Sequence, residues 1–94
     1  MPRIEVRVLG PPQILVDDVA KAVAGRQLSL ALRLAIAERR PVAPKRLMSD
    51  VWPGDSASEG AFRVALTRLR AHLGNGVIER HPNGYALTAQ AMVD

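Results

Sequence analysis

The 94-residue chain contains no cysteine. That excludes a disulfide framework, a thiolate zinc site and a cysteine nucleophile. It holds one Trp, one Tyr and one Phe, so its core must be built mostly from Leu, Val, Ile and Ala. No apolar run approaches the roughly 18 residues of a membrane span. The opening Met-Pro-Arg-Ile-Glu-Val-Arg-Val alternates charged and apolar residues, unlike a secretory signal. Only two histidines are present, His72 and His81. The acids Asp17, Asp18, Asp50, Asp55, Glu59 and Glu79 stand at no metal-ligand or acid–base spacing. There is also no phosphate-cradling glycine loop. The expectation is a cytoplasmic protein that is not an enzyme and holds no metal or cofactor.

What is present is 48% hydrophobic residues, enough for one modest core. The formal net charge is +4, which favours a polyanionic partner.

Residues 3–9 alternate, with Ile4, Val6 and Val8 on one face and Arg3, Glu5 and Arg7 on the other. A period of two predicts a strand with one buried face. Gly10-Pro11-Pro12 breaks it. Residues 13–16 read as a second strand, Asp17-Asp18 as a turn and residues 19–23 as a weaker third strand. Residues 1–24 are thus expected to form a small antiparallel sheet.

Residues 26–39 predict a helix, with Leu28, Ala31, Leu32, Ala35 and Ile36 at helical spacing. Leu30 and Leu34 widen its apolar arc, and Pro41 stops it. Pro44 suits the first turn of a second helix, which turns Leu47, Met48, Val51 and Trp52 inward. Ala43 has no side-chain acceptor to cap that helix. A third helix is expected over about 56–73. Ser56 and Glu59 have capping-box spacing, and Ser58 is a second candidate cap. Phe62, Ala65, Leu66, Leu69 and Leu73 form its apolar stripe, and Gly74-Asn75-Gly76 ends it.

Residues 77–80 and 85–88 read as two strands around the turn His81-Pro82-Asn83-Gly84. Residues 89–94 show no period and read as a tail or linker. The whole is one structural domain of α+β class: an antiparallel N-terminal sheet, then helices and a hairpin over 25–88.

Two helices joined by the short link 53–55 make a helix-turn-helix, whose second helix enters the major groove of DNA. A hairpin directly behind it, over 77–88, is a wing. At roughly 100° per residue, the side of the third helix opposite its stripe carries Gly60, Arg63, Val64, Thr67, Arg68 and Ala71. Small residues admit a close approach, Arg reads guanine edges, and Thr contacts a base or phosphate. The plainer reading is that Arg63 and Arg68 solvate an exposed face. The helix order and the wing weigh against it.

Three ordered motifs carry a family resemblance. Leu66-Thr67-Arg68-Leu69-Arg70-Ala71-His72-Leu73 resembles the end of the recognition helix in OmpR/PhoB-type winged helix-turn-helix domains. Leu47 to Gly54, with Val51-Trp52, resembles that family's second helix, and Asn83-Gly84-Tyr85-Ala86-Leu87 its wing. Residues 3–12, ending Val-Leu-Gly-Pro-Pro, are similar to the start of actinobacterial antibiotic-regulator (SARP-type) transcription factors. Met1 opens directly on the first strand, which leaves no room for an upstream receiver domain. The resemblance implies a stand-alone small regulator or the first domain of a longer activator.

It further implies residue roles. Arg63, Val64, Thr67 and Arg68 match base-facing positions. Trp52, Ser58 and Arg70 match phosphate or backbone contacts, with core packing the alternative for Trp52. Arg80 and His81 lie where the wing usually carries an Arg. That Arg aligns best with His81, whose imidazole carries a charge only when protonated. Gly60 replaces a residue that is often polar in the family. The implied partner is double-stranded DNA, bound as direct repeats by a lone monomer that pairs head to tail, with RNA polymerase as a further contact. A winged helix used for protein docking is the rival, and one on structured RNA a third option. Large exposed apolar groups on the third helix would favour docking.

Overall fold

The computed structural model describes residues 3–23, 25–52, 54 and 58–94. The chain runs β1 (Ile4–Arg7), β2 (Gln13–Val16), β3 (Val19–Ala20), α1 (Gly25–Ile36), α2 (Pro44–Val51), α3 (Glu59–Leu73), β4 (Ile78–His81), β5 (Gly84–Leu87) and β6 (Ala91–Val93).

The alternation in β1 is realised: Ile4 and Val6 are buried, Glu5 and Arg7 half-exposed. β1 pairs antiparallel with β2, and β2 with the two-residue β3. The turn between β2 and β3 is Asp17-Asp18, both left-handed at φ 52° and 66°, which Asp tolerates better than most residues. The Asp17 carboxylate accepts from the Arg3 backbone N–H at 2.8 Å, which ties the turn to β1. On the sheet surface Arg7 donates to Glu5 at 2.8 Å, and that carboxylate raises the Arg7 pKa further above its ordinary value.

Residues 89–94 are not a free tail. β6 lies parallel to β1, with Ala91 opposite Ile4 and Val93 opposite Val6. The sheet order is therefore β3-β2-β1-β6, and the sheet is mixed rather than purely antiparallel. Contacts besides the ladder hold β6. Asp94 accepts from Val8 N–H at 2.6 Å, Arg39 donates to the Ala91 carbonyl at 3.0 Å, and Ala91 is fully buried. A strand of three residues with a single inward side chain has no legible period. Its partner is set by a connection that carries all three helices.

α1 crosses the sheet and packs against both other helices. Its buried centre is Leu30, Ala31, Leu34 and Ala35, while Leu28 and Leu32 are half-buried and Ile36 is 62% exposed. The inward face is thus turned toward Leu30 and Leu34 relative to the expected stripe. The helix also ends at Ile36 rather than 39, because Glu38 and Arg39 adopt left-handed φ of 54° and 66°. That reversal delivers Val42 to the wing, where its N–H donates to the Tyr85 carbonyl at 2.8 Å and its own carbonyl accepts from Tyr85 N–H at 3.0 Å.

α2 begins at Pro44 with no side-chain cap on Ala43 and buries Leu47 and Val51. α3 begins at Glu59, later than expected, because the cap is Ser58: its Oγ accepts from Ala61 N–H at 3.0 Å. Ser56 and most of the 53–55 link lie outside the described residues. The five stripe residues of α3 are all buried. Behind it, β4 and β5 close around Pro82 and Asn83, with His81 paired to Gly84; the strands begin or end one residue nearer the turn than the sequence indicates. Gly84 sits at φ 151°, and a Cβ there would collide with the Val42 carbonyl, so only glycine admits the Val42 crossing.

The packing of β6 yields an expectation. Ala91→Asp should place a carboxylate without a partner in the core and destabilise the fold by roughly 3 kcal/mol or more. A true linker would accept the same change within about 0.5 kcal/mol. Urea denaturation separates the two.

Candidate nucleic-acid interface

Because five of fifteen α3 residues are buried on one side, the helix presents a continuous opposite face. Gly60, Arg63, Val64, Thr67, Arg68 and Ala71 are all exposed. Arg63, Val64, Thr67 and Arg68 line one shallow depression along that face, so the four residues implied to face bases are brought together. Neither Arg63 nor Arg68 is in an ion pair among the described residues. Their guanidinium donors are left for a partner. Val64, 48% exposed, is the one sizeable apolar side chain on this face.

Trp52 caps the end of α2, its backbone N–H donating to the Met48 carbonyl at 2.9 Å. The indole is half-buried: it packs partly on the core and partly lines a groove. The two roles weighed for it are thus both spatially available. Ser58 is exposed, and its hydroxyl oxygen serves the first turn of α3.

Arg70 is placed differently from the rest. Its guanidinium lies 5.6 Å from the Tyr85 ring centroid and donates to the Ile78 carbonyl at 3.5 Å, a long bond. The Tyr85 ring also meets Phe62 edge-on, at 6.0 Å between centroids and 61° between planes. Tyr85 is therefore the joint between α3 and the wing, and Arg70 is directed at that joint. On the wing itself Arg80 is exposed, while the His81 Nε2 lies 3.6 Å from the Glu79 carboxylate. That pair attracts only when the imidazole is protonated. Residues 79 and 81 share a strand face, as alternation requires.

One residue of this region went unread in the sequence. Arg26, in the first turn of α1, donates to the Val51 carbonyl at 2.6 Å and stacks over the Trp52 ring at 5.6 Å. A signal was available: α1 has no acid in its first turn but has an arginine there, against the helix dipole. A charge so placed points to a partner from another element. Arg26, Gln27, Trp52, Gly60, Val64 and Arg68 are among the residues that line a groove of about 440 Å³.

A larger groove of about 640 Å³ lies elsewhere, between the end of α1 and β6. Of its charged residues, Arg39 and Asp94 are engaged in holding β6. Among the described residues no three His, Asp or Glu side chains converge as a metal site, and no helix is long and apolar enough to cross a membrane.

No protein-family model matches the chain, and no curated protein does. Among solved structures it is similar to the DNA-binding domain of E. coli CadC, with a TM-score of 0.74 and 18% identity over 94% of this chain and 92% of that one. It is similar to Mycobacterium tuberculosis EmbR, solved with a low-affinity phosphopeptide, with a TM-score of 0.75 and 25% identity over 94% of this chain. A streptococcal redox sensor, described as evolved from two-component response regulators, follows at a TM-score of 0.69 and 22% identity over 81% of this chain. The chain spans 26% of the EmbR chain and 35% of the redox-sensor chain. The chain shares the winged helix-turn-helix fold of these structures, as the resemblance to OmpR/PhoB-type domains implies, with a sheet ahead of three helices and a hairpin behind them.

The Arg70–Tyr85 contact is open to measurement. Arg70→Ala should loosen the wing and lower stability by about 1 kcal/mol. A double-mutant cycle with Tyr85→Leu should show a coupling of about 0.5–1 kcal/mol by denaturant unfolding. Zero coupling would mean that the guanidinium is merely solvated there.

Proposed function

We propose that the chain binds double-stranded DNA in a sequence-specific manner, as the reading domain of a transcription regulator. In this reading α3 enters the major groove with Arg63, Val64, Thr67 and Arg68 toward the bases, and the wing lies on the adjacent minor groove or backbone. The observation that carries it is the division of α3: one face wholly buried, the other bearing exposed guanidinium and hydroxyl groups among small residues. A net charge of +4 supports a polyanionic partner. The CadC domain, similar over nearly its whole length, is a DNA-binding domain by its description. A protein-docking role would favour several large apolar groups on that face, where Val64 stands alone.

Trp52 and Ser58 are assigned to phosphates at the start of α3. Arg70 is assigned first to holding the wing, and its reach to a phosphate is secondary. Arg80, exposed and in no ion pair among the described residues, is assigned to the wing's contact with DNA, with His81 a weaker contributor. We further propose that the chain is monomeric alone, pairs head to tail on direct repeats, and acts in the cytoplasm, with RNA polymerase as a candidate contact. No catalytic role is assigned.

Selection of bound sequences from random duplex DNA, followed by a gel shift, tests this reading. Affinity for the selected duplex should fall linearly on a log–log salt plot, by about 0.9 per phosphate contact. Arg68→Ala should relax the preference at one base position, costing about 1–3 kcal/mol. Binding that ignores salt, or a selected motif unchanged by Arg68→Ala, would remove α3 from the reading role.

A further inference from the structure

We infer that the groove between the first turns of α1 and α3 seats a phosphodiester of the DNA backbone, with Arg26 as its cation and Gly60 as its opening. The inference rests on the DNA-binding reading and adds a site to it. Arg26 is exposed but held. Its Nη1 donates to the last carbonyl of α2 at 2.6 Å, and its plane lies over the Trp52 indole. A guanidinium has five N–H donors, and only that one is engaged among the described residues. The remainder are oriented in advance, as bidentate phosphate recognition requires. Arg68 lines the same groove and also the base-facing depression, so the two surfaces are continuous across α3.

Gly60 makes the second argument. Its helical backbone needs no glycine, and an added Cβ would meet only the Ser58 Oγ, at 3.8 Å. Alanine is the better helix former, so the folded protein gains nothing from the missing methyl. What the missing methyl leaves is a low rim beside Trp52 and Arg26, where a backbone phosphate can approach.

The test uses the duplex selected by the wild-type protein, an unrelated duplex, and fluorescence anisotropy over a salt series. Gly60→Ala should raise the thermal midpoint yet weaken binding to both duplexes about tenfold, with base preference unchanged. Arg26→Ala should weaken both similarly and reduce the salt slope by about one. Arg26→Lys should restore the slope. A Gly60→Ala protein that is more stable and binds as well as wild type overturns the site, as does an unchanged slope in Arg26→Ala. Should Arg26→Ala fail to fold, Gly60→Ala alone decides. If the wild-type protein binds no duplex, both readings fall. If Arg68→Ala alters base preference while the Gly60 and Arg26 variants bind normally, only the groove falls.

Discussion

The burial of one face of α3 is the constraint on which the rest depends. Phe62, Ala65, Leu66, Leu69 and Leu73 are inserted into a core whose centre is Leu30 and Leu34 of α1 and Leu47 of α2. Burying each of the four larger side chains contributes roughly 1.5–3 kcal/mol, so together they outweigh any single polar contact on the surface. This fixes the rotation of α3 about its axis. Once that rotation is fixed, Arg63, Thr67 and Arg68 have nowhere to go but outward, and no polar interaction is needed to aim them. The N-terminal sheet contributes from the far side: Ile4, Val6 and Ile14 close the core against α1. β6 completes that layer by covering the second edge of β1.

The wing joins the same core through Ile78 and Leu87, and further contacts fasten it to the helices. Its attachment to the helices passes through Tyr85, which meets Phe62, Arg70 and the backbone of Val42. Each is modest, about 0.5–1.5 kcal/mol for an aromatic pair or an exposed cation–π contact. The Val42 crossing is more demanding, because it excludes a side chain at Gly84. The hairpin is thus anchored at its base by buried Ile78 and Leu87, by the Tyr85 ring and by the Val42 crossing, with Pro82 and Asn83 exposed at its tip.

The sequence made legible whatever had a local period. The α3 stripe and the β1 alternation are found with their expected faces, because each depends on spacing within one element, and the hairpin is found within one residue of its expected bounds because its turn is signalled locally. The misreadings are long-range. β6 was invisible because three residues beside an absent partner carry no pattern. The inward face of α1 was misjudged because Leu28, Leu30, Leu32, Leu34 and Ile36 all read as apolar. Only the neighbours decide which of them is central. The end of α1 was overrun because Glu38 and Arg39 are tolerable helix residues, and their left-handed conformation is imposed by the route to Val42. In the candidate interface the exposed residues of α3 were legible. The engagement of Arg70 with Tyr85 was not, since it depends on where the wing folds back.

Arg26 shows how such a long-range arrangement overrides a local rule. A cation in the first turn of α1 opposes the dipole at a cost of about 0.3–1 kcal/mol. Its side chain, however, reaches the C-terminal end of α2, where the dipole has the opposite sign and Val51 offers a carbonyl free of any helical partner. A hydrogen bond from a charged donor is worth about 1.5–3 kcal/mol, toward the lower end at an exposed site, and the stack on Trp52 adds about 0.5–1 kcal/mol. The balance favours the arginine where it stands. The same contacts fasten the start of α1 to the end of α2, just ahead of the link into α3. A charge that its own helix disfavours thus ties the start of α1 to the end of α2.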